Sequence, residues 1–420
     1  DVLRTLAVRD ASGHQRGIYS VCSAHPLVVE ASLRQARNDG TPLLIESTCN
    51  QVNQFGGYTG MQPADFVHFV QGIAAQLGFD HRHLIFGGDH LGPNPWRHLP
   101  VNEAMAQACE LLRVYAAAGF RKLHLDASMR CADDPPVLTD EVIAVRAATL
   151  CQAAEAVAPG QAVYVVGTEV PVPGGATKTL DHLQVTSPEA AHHTLLTHEA
   201  AFDALQLQDA WSRVIALVVQ PGVEFDHTRV VDYVPQKAVQ LSAFQKEQSS
   251  LVFEAHSTDY QRAEALARLV ADGFAILKVG PGLTFALREA LYALELIERE
   301  LVADVNRSRL RGILEVEMLN HPGDWLNYYD GDPSHQAQLR VYSYSDRVRY
   351  YWGRQTIAQA VDRLLGNLAT HPIPENLLSQ YLPQQYEAYR AGRIGLEARA
   401  LLIERVRDAL RPYASACRLS

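Results

Sequence analysis

Histidines and carboxylates recur in this chain at spacings that a divalent ion or a proton transfer can use. Asp89-His90 stands within Gly87-Gly88-Asp89-His90-Leu91-Gly92-Pro93, Glu254 and His256 open the run Glu254-Ala255-His256-Ser257-Thr258-Asp259, and Glu169 follows Gly167-Thr168. A neutral imidazole nitrogen can ligate a divalent metal, and a carboxylate beside it can act as acid or base. Residues two apart on a strand share a face, which places Glu254 one layer below His256. An ionised glutamate at that depth is costly unless it is paired or metal-bound. These positions predict a metal site of His90, Glu169 and His256, zinc ahead of manganese, with Asp89, Glu46, Asp126 and Glu254 as candidate catalytic carboxylates. His124, on the same strand face as Asp126, reads as a hydrogen-bonded core histidine, and His192-His193 as a surface pair.

Other positions suit a polyhydroxy ligand. Glu46-Ser47-Thr48-Cys49-Asn50-Gln51 packs amides and hydroxyls into one loop, so Asn50 and Gln51 are candidate sugar contacts, as are Ser23, His25, Ser128 and Gln220 at other segment ends. Lys278-Val279-Gly280-Pro281 runs into a helix start, where a lysine and free N–H groups favour a phosphate oxygen. Lys278 and Gly280 are therefore candidate substrate contacts, although Lys278 could instead pair with an acidic neighbour inside the fold. The loop Pro171–Gly175 reads as a lid or as an ordinary turn.

The elements that must position these groups are eight short apolar segments: Gly17–His25, Pro42–Thr48, Leu84–His90, Lys122–Met129, Val163–Val170, Val214–Glu224, Leu251–Thr258 and Phe274–Thr284. Stretches with helical periodicity separate them, for example Phe66, Val67, Val70, Ile73, Ala74 and Leu77 on one stripe. Asn102, Thr139, Ser187 and Asp259 read as helix starts. Strand returning to strand through a helix forces parallel pairing and right-handed crossovers. Eight such units predict an α/β fold of the (β/α)8 TIM-barrel class, with the chemistry at the C-terminal strand ends. An open doubly wound sheet is the alternative, but no glycine-rich phosphate loop follows the first strand. We place the barrel in residues 1–300 and a mostly helical C-terminal extension in 301–420, where Tyr342, Tyr344, Tyr350 and Tyr351 suggest a contact surface.

Composition narrows the partners. With 37 basic and 47 acidic side chains the net charge is −10, which disfavours nucleic acid and anionic membrane as main partners. The six cysteines form no C-x-x-C pair, so a reduced, cytoplasmic protein is expected. No run of about 18 apolar residues could span a bilayer.

Taken together the motifs resemble the Z-type subunit family of class II tagatose-1,6-bisphosphate aldolase. The resemblance rests on Ser20-Val21-Cys22-Ser23-Ala24-His25-Pro26, Asn50-Gln51-Val52-Asn53-Gln54-Phe55-Gly56-Gly57-Tyr58-Thr59-Gly60, Gly88–Pro93, His124–Met129 and Gly167–Gly175. It continues through Val219-Gln220-Pro221-Gly222-Val223-Glu224-Phe225-Asp226-His227, Glu254–Tyr260, Ser345-Asp346-Arg347-Val348-Arg349-Tyr350-Tyr351-Trp352 and Gln380-Tyr381-Leu382-Pro383. The resemblance implies a non-catalytic chain that stabilises a separate catalytic class II aldolase subunit in galactitol or N-acetylgalactosamine breakdown. It also implies the alternative of a metal-dependent ketohexose (phosphate) 4-epimerase, because some members are similar to such enzymes. Expected partners are the catalytic subunit and a ketose or ketose phosphate, with a homo-oligomer as a further possibility. Some members bear a tagatose-6-phosphate kinase name, yet no Walker-type glycine loop occurs here.

Overall fold

A computed structural model describes residues 2–8, 13–168, 183–248 and 250–417. Eight parallel strands close into a barrel in chain order: β1 (Ile18–Cys22), β2 (Leu43–Thr48), β3 (Leu84–Leu91), β4 (Lys122–Leu125), β5 (Val163–Val166), β6 (Val214–Val219), β7 (Val252–Ala255) and β8 (Ile276–Val279). Ile18 of β1 pairs with Ile276 of β8 to complete the ring. Runs such as Val214-Ile215-Ala216-Leu217-Val218-Val219 are apolar on both faces, as a strand buried between barrel interior and outer helices must be. Most of the predicted segments overrun the observed strands at their C-terminal ends. The eighth, expected to reach Thr284, leaves the ladder at Val279, and Pro281 already begins a helix.

The outer helices are α1 (Pro26–Asp39), α2 (Pro63–Gln76), α3 (Val101–Ala117), α4 (Asp140–Glu155), α5 (Pro188–Ala204), α6 (Val239–Glu247), α7 (Ala263–Ala271) and α8 (Pro281–Leu301). Thr139 and Ser187 cap α4 and α5 as expected, accepting hydrogen bonds from Val142 and Ala190 N–H. Two expected starts differ. Asn102 lies inside α3, and the Val101 N–H donates to Asp133 instead. Asp259 precedes α7 by a full turn and is used elsewhere, as shown below.

The barrel interior changes chemistry along its axis. Ile18, Leu44, Val163, Val165, Val252 and Ile276 form an apolar layer, closed below by Leu3 and Leu6. Two residues further along the same strands the interior is charged, with Glu46 after Leu44, Glu254 after Val252 and Lys278 after Ile276.

Beyond α8 the chain continues as α9 (Leu310–Asn320), α10 (Pro333–Tyr342), α11 (Gln355–Thr370), α12 (Glu375–Tyr381), α13 (Pro383–Arg390) and α14 (Ala398–Cys417). The long α14 returns to pack on α1, α7 and α8, and one hydrophobic core runs from barrel into extension. Arg288 of α8 donates from Nε to Asp346 at 2.6 Å, a buried ion pair that ties the two together. The expected aromatic contact surface is corrected by this packing. Tyr351 is buried, Tyr344 packs on Tyr260 and Phe285, and Tyr350 packs on Tyr58, which leaves only Tyr342 of the four exposed. Among the described residues no helix is long and apolar enough to cross a membrane.

Candidate active site at the barrel mouth

The charged layer is an alternating network of two ammoniums and three carboxylates. Lys122 Nζ donates to Glu46 Oε1 at 2.7 Å and lies 2.7 Å from Glu254 Oε2, an ion-pair contact rather than a directed hydrogen bond. Lys278 Nζ pairs with Glu46 Oε2 and sits 2.8 Å from Asp89 Oδ1 and 3.8 Å from Glu254 Oε1. None of these side chains is more than 5% exposed, so the charges interact in a medium far less polar than water. Burial opposes the charges of Asp89, Glu254, Lys122 and Lys278, but their charged neighbours prevail. Asp89 and Glu254 stay well below the usual carboxylate range, and both lysines stay above the usual ammonium range. Gly87 makes room for this layer, because a Cβ there would meet Glu46 Oε1 at 2.6 Å.

Above the network lie three imidazoles. The ring centroids of His90, His124 and His256 are 4.9–5.2 Å from one another. His90 has φ of +49° and Ser257 +52°, left-handed conformations that are uncommon outside glycine, and the β3–β4 register shifts between Gly88 and Leu91. Such local strain is held in place by the surrounding contacts and gathers at functional sites. His90 Nδ1 is 2.8 Å from Asp126 Oδ2, and His256 Nε2 is 2.9 Å from Glu254 Oε1. Carboxylate–imidazole pairs of this kind orient metal-ligating histidines. Burial alone would lower the His90 pKa, but Asp89 and Asp126 raise it. His256 is lowered to about 4, chiefly by burial.

The donor set fits a divalent ion. Asp89, His124, Glu254 and His256 each offer one ligand atom, all within 4.8 Å of one another. Around an ion with bonds of about 2.0–2.2 Å neighbouring ligand atoms lie about 3–3.5 Å apart, so the widest of these separations would close by about an ångström or more. His124 Nε2 is buried with no hydrogen-bond partner among the described residues. Three carboxylates against two lysines also leave the layer net negative. His124, expected as a satisfied core histidine, thus joins the candidate donors. Its Nδ1 is 3.2 Å from both Asp89 Oδ1 and the His90 backbone N. His90 flanks the set with Nε2 3.7 Å from Asp89 Oδ1, and Glu169 lies outside the described residues, as does most of the Gly167–Gly175 loop.

The cluster opens into a cavity of about 490 Å³, within the range of small-molecule sites. Ser23, His25, Asn50, Gln51, Asp89, His90, His256, Lys278 and Gly280 line it. The other sequence candidates are placed differently. Glu46 and Glu254 lie below the lining. Asp126 is held by Ser128, which donates from Oγ to Oδ1 at 2.6 Å, so both act behind His90. Gln220 accepts from the Gly222 and Val223 N–H groups and shapes its own loop. The expected phosphate cradle at the start of α8 is also corrected. Asp259 Oδ1 accepts from the Gly280 N–H at 2.9 Å and the Gly282 N–H at 2.7 Å, so a carboxylate of this chain already fills it.

Nearly the whole sequence, residues 3–418, matches one family, described as D-tagatose-1,6-bisphosphate aldolase subunit GatZ/KbaZ-like. The chain belongs to that GatZ/KbaZ-like family. A crystal structure from Sinorhizobium meliloti, described as a probable tagatose 6 phosphate kinase, is 49% identical over 96% of this chain and 100% of that one, with a TM-score of 0.89. The fructuronate-tagaturonate epimerase UxaE from Cohnella laeviribosi is 12% identical over 98% of this chain and 84% of that one, with a TM-score of 0.48. A Campylobacter jejuni fructose-bisphosphate aldolase is 14% identical over 86% and 92%, with a TM-score of 0.44.

Sequence reasoning missed Lys122 and the contribution of the extension. Lys122 alternates with His124 and Asp126 on one strand face, and that period-two run of polar residues in a buried segment was the available signal. The extension places Arg349, Tyr350 and Trp352 on the cavity wall of this GatZ/KbaZ-like chain, and nothing in their local sequence fixes that distant contact.

Proposed function

We propose that this chain binds a ketohexose or ketohexose phosphate at the barrel mouth and interconverts its C4 epimers by breaking and remaking the C3–C4 bond. The observation that carries this reading is the buried carboxylate–imidazole–lysine cluster at the floor of a cavity lined with hydrogen-bonding groups. His124, Glu254 and His256 would hold a divalent metal, with His90 beside them, which leaves Asp89, the fourth member of that group, for proton transfer. A zinc or manganese ion bound there would polarise the substrate carbonyl as a Lewis acid.

The chain's own residues supply the rest. Asp89 is the one candidate catalytic carboxylate that lines the cavity, so its role is to accept the proton of the C4 hydroxyl. As that proton leaves, C4–O becomes a carbonyl and the C3–C4 bonding pair passes to C3 and the C2 oxygen. His90 and Lys278 keep Asp89 ionised against the cost of its burial. The freed aldehyde turns, C3 attacks its other face, and Asp89 returns the proton. Atoms and electrons balance without an oxidant or a co-reactant.

The test is to incubate the purified chain, loaded with zinc or manganese, with tagatose 6-phosphate, fructose 6-phosphate and the free ketoses. Appearance of the C4 epimer is expected. No interconversion of any of the four, from protein shown to hold metal, overturns the epimerase reading.

A second reading is favoured by the family description, in which the word subunit supports a partner: this chain would stabilise a catalytic class II aldolase chain while keeping a site of its own. Binding only the folded partner would raise that partner's stability by mass action. A partner aldolase with unchanged activity and melting temperature in the presence of this chain ends that reading.

A further inference from the structure

The cavity has a cation that the epimerase mechanism leaves unused. Arg349, from the segment between α10 and α11, lines the cavity with Tyr58 and Tyr350. Its Nη1 bonds to the carbonyl oxygens of Ser345 and Asp346, its Nη2 donates to the Tyr350 hydroxyl at 3.1 Å, and its guanidinium carbon lies 4.6 Å from the Tyr350 ring centroid. These contacts fix the group in place without neutralising it. Of the other cations on the wall, Lys278 is paired with Glu46 and Asp89, and Arg399 with Glu30. Among the described residues Arg349 has no carboxylate within ion-pair distance, and the acids near enough to feel its charge are Asp259, Asp324 and Asp346.

A phosphorylated ligand needs a positive or N–H-rich anchor, and the usual barrel position for one, the helix start after β8, is closed here by Asp259. A guanidinium beside the Tyr350 hydroxyl, with Tyr58 packed against that tyrosine, is a suitable replacement, because its planar fork matches an oxyanion and its charge does not titrate. The Tyr58 and Tyr350 rings meet edge to face with centroids 4.7 Å apart, and both residues line the cavity. We infer that Arg349, with the hydroxyls of Tyr58 and Tyr350, receives the terminal oxyanion of an open-chain ketose whose carbonyl end lies over the Asp89–His256 cluster. This rests on the proposed ketose site and adds its substrate class: a ketose carrying an anionic group, phosphate or carboxylate, at the far end. It also gives the C-terminal extension a role in specificity.

The experiment is calorimetric titration of the full, metal-loaded chain with tagatose 6-phosphate, tagaturonate and neutral tagatose, repeated with R349M, R349K and Y58F. At least one anionic sugar is expected to bind about tenfold or more tighter than tagatose, with R349M removing that preference, R349K keeping part of it and Y58F costing about threefold, as loss of charge-assisted hydrogen bonds predicts. Which anion wins separates the phosphate source from the carboxylate source. Equal binding of all three sugars by the native chain, or an anion preference that survives in R349M, overturns the inference. The unliganded melting temperature and tagatose affinity of R349M report whether the wall itself has collapsed; if they fall, R349K, which keeps the charge, decides by the same ratio. Arg349-dependent binding without any epimerisation would sink the proposed reaction and leave this site standing. Epimerisation with no anion preference would do the reverse.

Discussion

On β2, Leu44 and Glu46 face the same barrel interior two residues apart, yet one belongs to an apolar plug and the other to a network of buried charge. The lower layer gains stability simply by leaving water, at roughly 25 cal/mol per Å² of apolar surface. The upper layer must take five charges out of water and recovers that cost only through mutual pairing. One strand alternation thus builds a layer that holds the fold and a layer that the fold has to hold. The difference teaches where function sits: stability alone would have filled both layers with Leu, Val and Ile.

The sharpest way to break this comparison is at Lys122, which touches both buried glutamates. The K122M variant leaves Glu46 and Glu254 short of a counter-charge and is expected to cost about 3–5 kcal/mol in urea unfolding. Adding E46Q and E254Q removes the stranded charges, and the triple variant should regain most of that stability while losing metal affinity. If K122M is neutral, the upper layer is not the strained one. By contrast L44A, in the lower layer, is expected to cost about 2–4 kcal/mol as a cavity, with metal content and ligand affinity unchanged.

A smaller effect separates the layers through the ion itself. Zinc or manganese at about a hundredfold over its dissociation constant is expected to add roughly 2.7 kcal/mol to the stability of the native chain, seen as a rise in melting temperature that a chelator reverses. H124A and H256A should each abolish the rise, and L44A should keep it. A rise that persists in H124A would remove that nitrogen from the donor set.

Much of this was readable before any coordinates. The eight segments, the barrel and the polar side chains at the strand ends follow from periodicity, because strands buried on both faces leave apolar runs that polar mouths interrupt. The cluster around Asp89, His90 and His256 was readable for the same reason. What was not readable depends on distance in space. Glu254 and Lys122 come from strands far apart in sequence, so their pairing needs the closed ring. Asp259 looks like a helix start until Gly280 and Gly282, twenty residues on, turn their N–H groups toward it. Arg349 and Tyr350 look like part of an exposed aromatic tail until the extension folds back over the mouth.

Asp259 also gives a prediction that contrasts two titrations. Burial raises its pKa to about 6, despite the two N–H groups it accepts from. The folded chain therefore holds this proton to higher pH than the unfolded chain, and stability from this group falls as pH rises from about 4 to about 6. His198, inside α5 and far from the cluster, has the opposite sign: burial lowers its pKa to about 4, so its contribution is full above about 6.5 and is lost as pH falls toward 4. D259N keeps an oxygen that can accept both N–H groups but removes the buried charge. It is expected to match the native chain near pH 4 and to exceed it by about 2–3 kcal/mol at pH 7, giving a steeper rise of stability with pH. Urea unfolding at the two pH values measures this, with H198Q, which no longer titrates, expected to flatten the same rise. A D259N stability profile parallel to the native one would mean that Asp259 ionises at its ordinary pKa, and that the start of α8 carries its negative charge without strain.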